Sequence, residues 1–142
     1  PEWGLFNADP TKRMYVLKAA CSLKSGTAGL GLAMMMASAV GPQTAVAADY
    51  TGAIKTCLDG SQQTPNVWLT NNPTLVGGTP AWDVLDATRV NTVATDSVGD
   101  GLVAWPNGMF SAAPNGGMVA LEVVGETGTT ALFTVSFVIA ML

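Results

Sequence analysis

Histidine is absent from the 142 residues. That single absence removes both the commonest general acid/base and the commonest metal ligand. Charge is nearly as scarce: 11% of residues are charged, against about a quarter in an ordinary soluble domain. Cysteine is limited to Cys21 and Cys57, with no CxxC spacing. One disulfide and two buried thiols both fit, and the redox compartment stays open. No phosphate-binding loop occurs. Gly29-Leu-Gly31 lacks the third glycine, the preceding strand and the downstream acid of a dinucleotide site.

Without histidine, a nucleophile would need a lysine or carboxylate beside it as base. Beyond residue 48 the only basic residues are Lys55 and Arg89. Asp83 and Asp86 could form a carboxylate pair of the glycosidase kind. Asp59, Asp96 and Asp100 adjoin turn glycines and are explained by turn formation. A calcium loop beginning at Asp96 is spoiled by Val98 at its third position and Asn107 at its twelfth. The sequence therefore predicts no catalytic residue, no cofactor and no metal site; by elimination the chain is not an enzyme.

The charges that exist are unevenly spread. Residues 1–48 hold Lys12, Arg13, Lys18 and Lys24 against Glu2 and Asp9, a balance of +2. Residues 49–142 hold two cations against eight acids, a balance of −6. Four cations are too few for tight nucleic-acid binding, which rests on many phosphate contacts, so none is expected. They read as a solvated face.

What is plentiful is apolar and turn-forming. Hydrophobic residues make up 49% of the chain, with 16 glycines and 8 prolines. From about residue 49 onward, short apolar or alternating pieces fall between marks such as Asp59-Gly60, Gly77-Gly78, Asn107-Gly108 and Asn115-Gly-Gly117. That punctuation predicts a mainly β body of short antiparallel strands: a sandwich, a barrel or a jelly-roll-like form. Pro-Asn-Gly at 106–108 and again at 114–116 predicts two successive tight reversals. Trp68, Trp82 and Trp105 lie in or beside predicted strands as core or interface anchors, with carbohydrate stacking as their other role.

The organising stretch is 118–142. Met118–Val124 and Ala131–Leu142 are apolar runs separated by Gly125-Glu-Thr-Gly128, which predicts a closing hairpin. In the second run Phe133, Val135, Phe137 and Ile139 share one face, and the other face turns apolar toward Leu142. A strand apolar on both faces must be covered.

An N-terminal arm, residues 1–48, is expected to precede the body at 49–142. Trp3, Leu5 and Phe6 can anchor an extended segment. Asp9 as N-cap and Pro10 at the first helical position then open a predicted helix over 10–25, amphipathic through Met14, Leu17, Ala20 and Cys21 and capped by Gly26. For the uncharged segment 27–40 the spacing predicts a buried helix, whose Gly29, Ala33 and Ala37 form a small-residue stripe for close approach. A secretory signal with Ala45-Val-Ala47 as cleavage site is the second reading, an extended strand the third; the expectation is that the segment stays in the mature chain. It is short for a membrane span, so membrane contact through 27–40 is not favoured.

Sparse charge with an apolar final strand predicts a subunit buried against copies of itself and other structural proteins. The first reading is a virion component (minor capsid, cement or decoration protein). A cell-surface filament with an apolar N-terminal helix is the alternative. A secreted β-rich binding module, cleaved near Ala47 or Ala48, is the third. Under the first, three contact regions are expected: Trp3 and Phe6; the stripe Gly29, Ala33 and Ala37; and the strand carrying Phe133, Val135, Phe137, Ile139 and Leu142.

Overall fold

The computed structural model describes residues 3–25, 27–28, 31–38, 66–71, 83–88, 91–92, 101–124 and 132–142. Among them are eleven strands and no helix. A five-stranded sheet has the order β5 (Val67–Asn71), β1 (Trp3–Asn7), β10 (Gly117–Val124), β4 (Gly31–Ser38), β6 (Asp83–Thr88). A second sheet has the order β11 (Leu132–Met141), β2 (Met14–Ser25), β8 (Gly101–Ala104), with β9 (Ser111–Ala112) also on β2. β3 (Thr27–Ala28) and β7 (Asn91–Thr92) form a short pair. Every described pairing is antiparallel.

The two larger sheets share one apolar cluster. Leu5, Val67, Val119 and Leu121 enter it from the five-stranded sheet, and Met14, Val16, Ala19 and Cys21 from β2. Each fully buried aliphatic side chain contributes about 1.5–3 kcal/mol relative to exposure. Met118 and Ala120 are buried as well, though they alternate with Val119 and Leu121. Both faces of β10 are thus covered, which is why its sequence is apolar at successive positions rather than alternately.

The helix predicted over 10–25 is a strand, and the reason is specific. In β2 the fully buried residues are Met14, Val16 and Ala19, followed by nearly buried Cys21. Between Val16 and Ala19 the alternation slips by one. The slip coincides with a bulge: Ile139 pairs with Val16 and Val138 with Lys18, so Leu17 has no opposite number. An extra residue lets the strand keep both halves of its apolar row toward the core. The predicted helix rests on Met14, Leu17, Ala20 and Cys21, but of these Leu17 is exposed and Ala20 only half-buried. The apolar row that the core takes up is Met14, Val16, Ala19 and Cys21.

Asp9 makes the hydrogen bonds of a helix N-cap, yet no helix comes after it. Its Oδ1 accepts from the backbone N–H of Thr11 at 2.9 Å and of Lys12 at 2.8 Å. One residue later the chain is captured by a strand instead. Arg13 N–H donates to the Leu142 carbonyl at 2.8 Å, and Leu142 N–H donates back to Arg13 at 3.0 Å. The Lys12 and Thr11 N–H bonds hold the Asp9 carboxyl down at about 2, from an ordinary 3.8. A lowered carboxyl contributes stability that is complete above 3.8 and disappears as pH falls through about 2. Asp9→Asn should therefore melt below the wild type at neutral pH, and the two melting curves should converge as the pH is taken down to about 2. A gap that persisted there would show that the carboxylate charge is not its source.

The helix predicted over 27–40 is also replaced by strands, β3 and β4. β4 pairs with β10 on one side and β6 on the other. An uncharged eight-residue run suits an internal strand as well as a buried helix, and periodicity alone does not separate them. The expected hairpin at 118–142 is corrected too: β10 lies between β1 and β4, whereas β11 joins β2 in the other sheet. Residues 125–131, its expected turn, lie outside the described residues.

Both Pro-Asn-Gly reversals are present. Asn107 and Gly108 have φ of 50° and 83°, and Met109 N–H donates to the Pro106 carbonyl at 2.9 Å. Two left-handed residues under that bond make a tight primed turn, for which Asn-Gly is the preferred pair. At the second reversal, Asn115 N–H donates to the Asp9 carbonyl at 2.7 Å and Gly116 N–H to the Asn7 carbonyl at 2.8 Å. Gly117 comes so close to the chain that a Cβ would lie 2.3 Å from the Ala113 nitrogen.

Beneath this reversal sits Asn7, fully buried at the end of β1. Its Nδ2 donates to the carbonyls of Lys12 at 2.8 Å, Ala113 at 3.1 Å and Ala112 at 3.2 Å. Its Oδ1 accepts from Asp9 N–H at 3.1 Å. One amide side chain thus ties β1 to the Asp9 turn and to the end of β9.

Candidate assembly surfaces

Among the described residues β11 is an edge strand, with β2 as its only strand neighbour. It runs for ten residues, about twice the usual strand length, and contains neither a charge nor a proline. The register shifts in its pairing skip Lys24 and Leu17 of β2, so β11 itself remains regular. Natural edge strands are ordinarily blunted by charges, prolines, bulges or shortness. β11 carries none of these among its own residues.

Its side chains are incompletely covered. Val135, Phe137, Ile139 and Met141 pack against the core cluster yet are only partly buried, and Thr134 and Ser136 are exposed. Leu142 is 78% exposed although its backbone is paired with Arg13. The sequence-predicted Phe133, Val135, Phe137, Ile139 and Leu142 are thus brought together on one edge. Phe133 is placed through its pairing with Leu23.

The other two predicted contact regions are placed differently. Trp3 and Phe6 do not lie on a projecting arm: β1 is held between β5 and β10, with Trp3 packed on the core. Phe6 stands opposite Met118 on one side and Trp68 on the other. Ala33 and Ala37 are strand residues of β4, in register with Val123 and Val119, so they form no helical stripe; Gly29 lies outside the described residues.

A second surface is not evident as a unit from the sequence. On the outside of β2 and β8, Val103 is 49%, Trp105 63% and Met109 74% exposed, beside Leu17 at 36%. Lys18 sets its ammonium 5.1 Å from the centre of the Trp105 ring, a cation–π distance. Gly108 N–H donates to the Val16 carbonyl at 2.9 Å, which holds the Met109 turn alongside the bulge at Leu17. Of these residues the sequence offers only Trp105 as a core or interface anchor; Leu17 is expected on the apolar face of a helix and Lys18 on a solvated face.

For chemistry the described residues offer little. No group of three His, Cys, Asp or Glu side chains is gathered there for a metal ion. Asp83 and Asp86 lie on β6, while Asp59, Asp96, Asp100, Lys55, Arg89, Trp82 and Cys57 fall outside the described residues. Cys21 is a buried thiol on the core side of β2. No described helix is long and apolar enough to cross a membrane. No protein-family model, curated protein or solved structure matches this chain.

Proposed function

We propose that this chain is a non-enzymatic structural subunit of a large symmetric assembly, above all a virion, where it serves as a minor capsid, cement or decoration protein. The observation that carries this reading is β11: among the described residues it is a long, uncharged, regular edge whose inward row is only partly buried. An open edge of this kind offers backbone N–H and C=O groups to a further strand. Its apolar row gains burial from the same contact. The β-rich body, read as a two-sheet sandwich, is a rigid carrier for such an edge.

The filament alternative depends on an apolar N-terminal helix, and residues 14–25 and 31–38 are strands; nothing else in the fold favours it. The binding-module reading is the one to adopt if the protein proves monomeric.

The test is native mass by light scattering in buffer without detergent. A discrete species much larger than 14.5 kDa is expected. Thr134→Lys with Ser136→Lys, both at exposed positions, places charge on the edge without touching the core. That variant should fold normally and associate about tenfold more weakly or worse. A wild-type monomer would sink the assembly reading, and an unaffected double variant would remove β11 from it.

A further inference from the structure

Pro-Asn-Gly occurs twice, at 106–108 and at 114–116, and asparagine before glycine is a pair with chemistry of its own. Glycine has no Cβ to shield its nitrogen. Once deprotonated, that nitrogen can attack the Cγ of the preceding asparagine. Ammonia leaves with the side-chain nitrogen, a five-membered succinimide closes, and water opens it at either carbonyl. The product is aspartate, or a β-linked aspartate whose main chain runs through the former side chain. The step needs a glycine N–H that is free to lose its proton and a turn loose enough to bring it to Cγ.

The two sites are alike up to this point. Both asparagines are exposed and both are left-handed, with φ of 50° at Asn107 and 58° at Asn115. In both turns the attacking N–H is already engaged: Gly108 donates to the Val16 carbonyl at 2.9 Å, and Gly116 to the Asn7 carbonyl at 2.8 Å. Each turn must therefore open before it can react, and the rate follows from what the opening breaks.

There the sites part. The Asn107 turn is held by two backbone bonds, from Gly108 to Val16 and from Met109 to Pro106, and Trp105 and Met109 on either side of it are exposed. At the second turn Asn115 N–H also donates to the Asp9 carbonyl, and Gly117 N–H to the Ala113 carbonyl at 3.2 Å. Gly117 is buried and pairs with Asn7 in the β1–β10 ladder. The buried Asn7 amide in turn holds the Ala112 and Ala113 carbonyls, just ahead of Pro114. Freeing the Gly116 nitrogen thus pulls on Asn7 and on β1, whereas freeing Gly108 disturbs no buried side-chain amide among the described contacts.

We propose that Asn107 is a site of deamidation in the folded chain, and that its twin Asn115 is protected by the Asn7 network. Each further hydrogen bond that opening must break lowers the open population by up to about tenfold. Conversion places a carboxylate two residues from Trp105, whose ring carries the Lys18 ammonium, and so adds a negative charge to the exposed apolar surface. The β-linked product also lengthens the main chain inside a turn that the Met109–Pro106 bond holds tight. None of this depends on the assembly reading.

The test uses the wild-type protein, held in mildly alkaline buffer to favour the deprotonated amide. It is digested at intervals, and the two peptides are followed by mass spectrometry. Asn107 should convert about tenfold faster than Asn115, or more. In urea, with both turns open, the shared Pro-Asn-Gly context should bring the two rates together. Amide hydrogen exchange is the second readout: Gly108 N–H should exchange about tenfold faster than Gly116 N–H. Asn107→Gln, which would have to close a six-membered ring, should abolish the early conversion and leave that of Asn115 unchanged. Equal or reversed rates in the folded protein, or no conversion of Asn107 there, would overturn the proposal. So would a difference that persisted in urea, because it would trace to Met109 against Gly117 as the following residue and not to the fold.

Discussion

Asn7→Asp should lower the stability at neutral pH by roughly 4 kcal/mol, the largest effect expected of any single substitution here. Asn7 is fully buried, and its amide nitrogen faces three carbonyl oxygens, those of Lys12, Ala112 and Ala113. In aspartate that nitrogen becomes an oxygen. The donor is lost, a negative charge is aimed at three acceptors, and the carbonyls lose their partner. An unsatisfied buried polar group costs about 1–3 kcal/mol, and an uncompensated buried charge more. The new carboxyl must have a folded-state pKa above its unfolded value, because only the protonated form can donate. Its penalty is therefore full above the folded pKa and fades as pH falls toward the unfolded value. Urea denaturation at pH 7 and again at about pH 4 should show the deficit shrinking in acid. A deficit under about 1 kcal/mol, equal at both pH values, would show that the hydrogen bonds of Asn7 contribute far less than their burial implies.

Gly117→Ala should cost about 3 kcal/mol, near the upper end for overpacking. The added methyl would stand 2.3 Å from the Ala113 nitrogen, 2.7 Å from its oxygen and 2.9 Å from the Ala112 carbonyl carbon. All three are backbone atoms, so no rotamer change relieves the contact. The reversal would have to open, pulling against the Gly116–Asn7 and Asn115–Asp9 bonds and the pairing of Asn7 with Gly117. Gly108→Ala is the informative comparison. There the methyl meets Tyr15 Cδ1 at an ordinary 3.5 Å, and the substitution suffers only the strain of a φ of +83°, about 1 kcal/mol. Chemical denaturation should rank the two in that order. Equal losses would mean that conformational strain, not the close approach, governs Gly117.

The β character and the two Asn-Gly reversals are readable in the sequence because turn chemistry is local: Asn107 and Asn115 adopt left-handed backbone and tolerate it next to glycine. β2 is not readable, because its bulge at Leu17 is set by pairing with residues near the far end of the chain, and local periodicity cannot register a distant partner. Asp9 shows the same limit in miniature. Its capping bonds form as expected, but the bonds between Arg13 and Leu142 decide that a strand comes next and not a helix. The closing hairpin fails for a related reason: Gly125 and Gly128 are good turn residues, but turn chemistry does not state which sheet each flanking strand joins. The strand of β11 is legible from its apolar and β-branched run. Its place at an edge among the described strands is not, because the sequence pairs it with the wrong neighbour. The Trp105 surface is not legible either, because Leu17, Val103 and Met109 are ordinary residues until pairing on β2 brings them together.

The partners of the first two strands have a consequence for how the chain acquires its structure. β1 pairs with β10, and β2 with β11, across more than a hundred residues in each case. During synthesis, β2 emerges long before residues 132–141 exist to flank it, so its apolar row waits uncovered. Closing such long loops before any burial is gained makes folding slow, on the millisecond-to-second scale of proteins dominated by distant pairings. It also leaves an apolar strand exposed during synthesis, when unpaired apolar strands favour aggregation. Under the proposed assembly, with β2 the only strand beside β11 among the described residues, folding and association would compete for the same surfaces, and translation rate and local concentration should influence which of the two comes first.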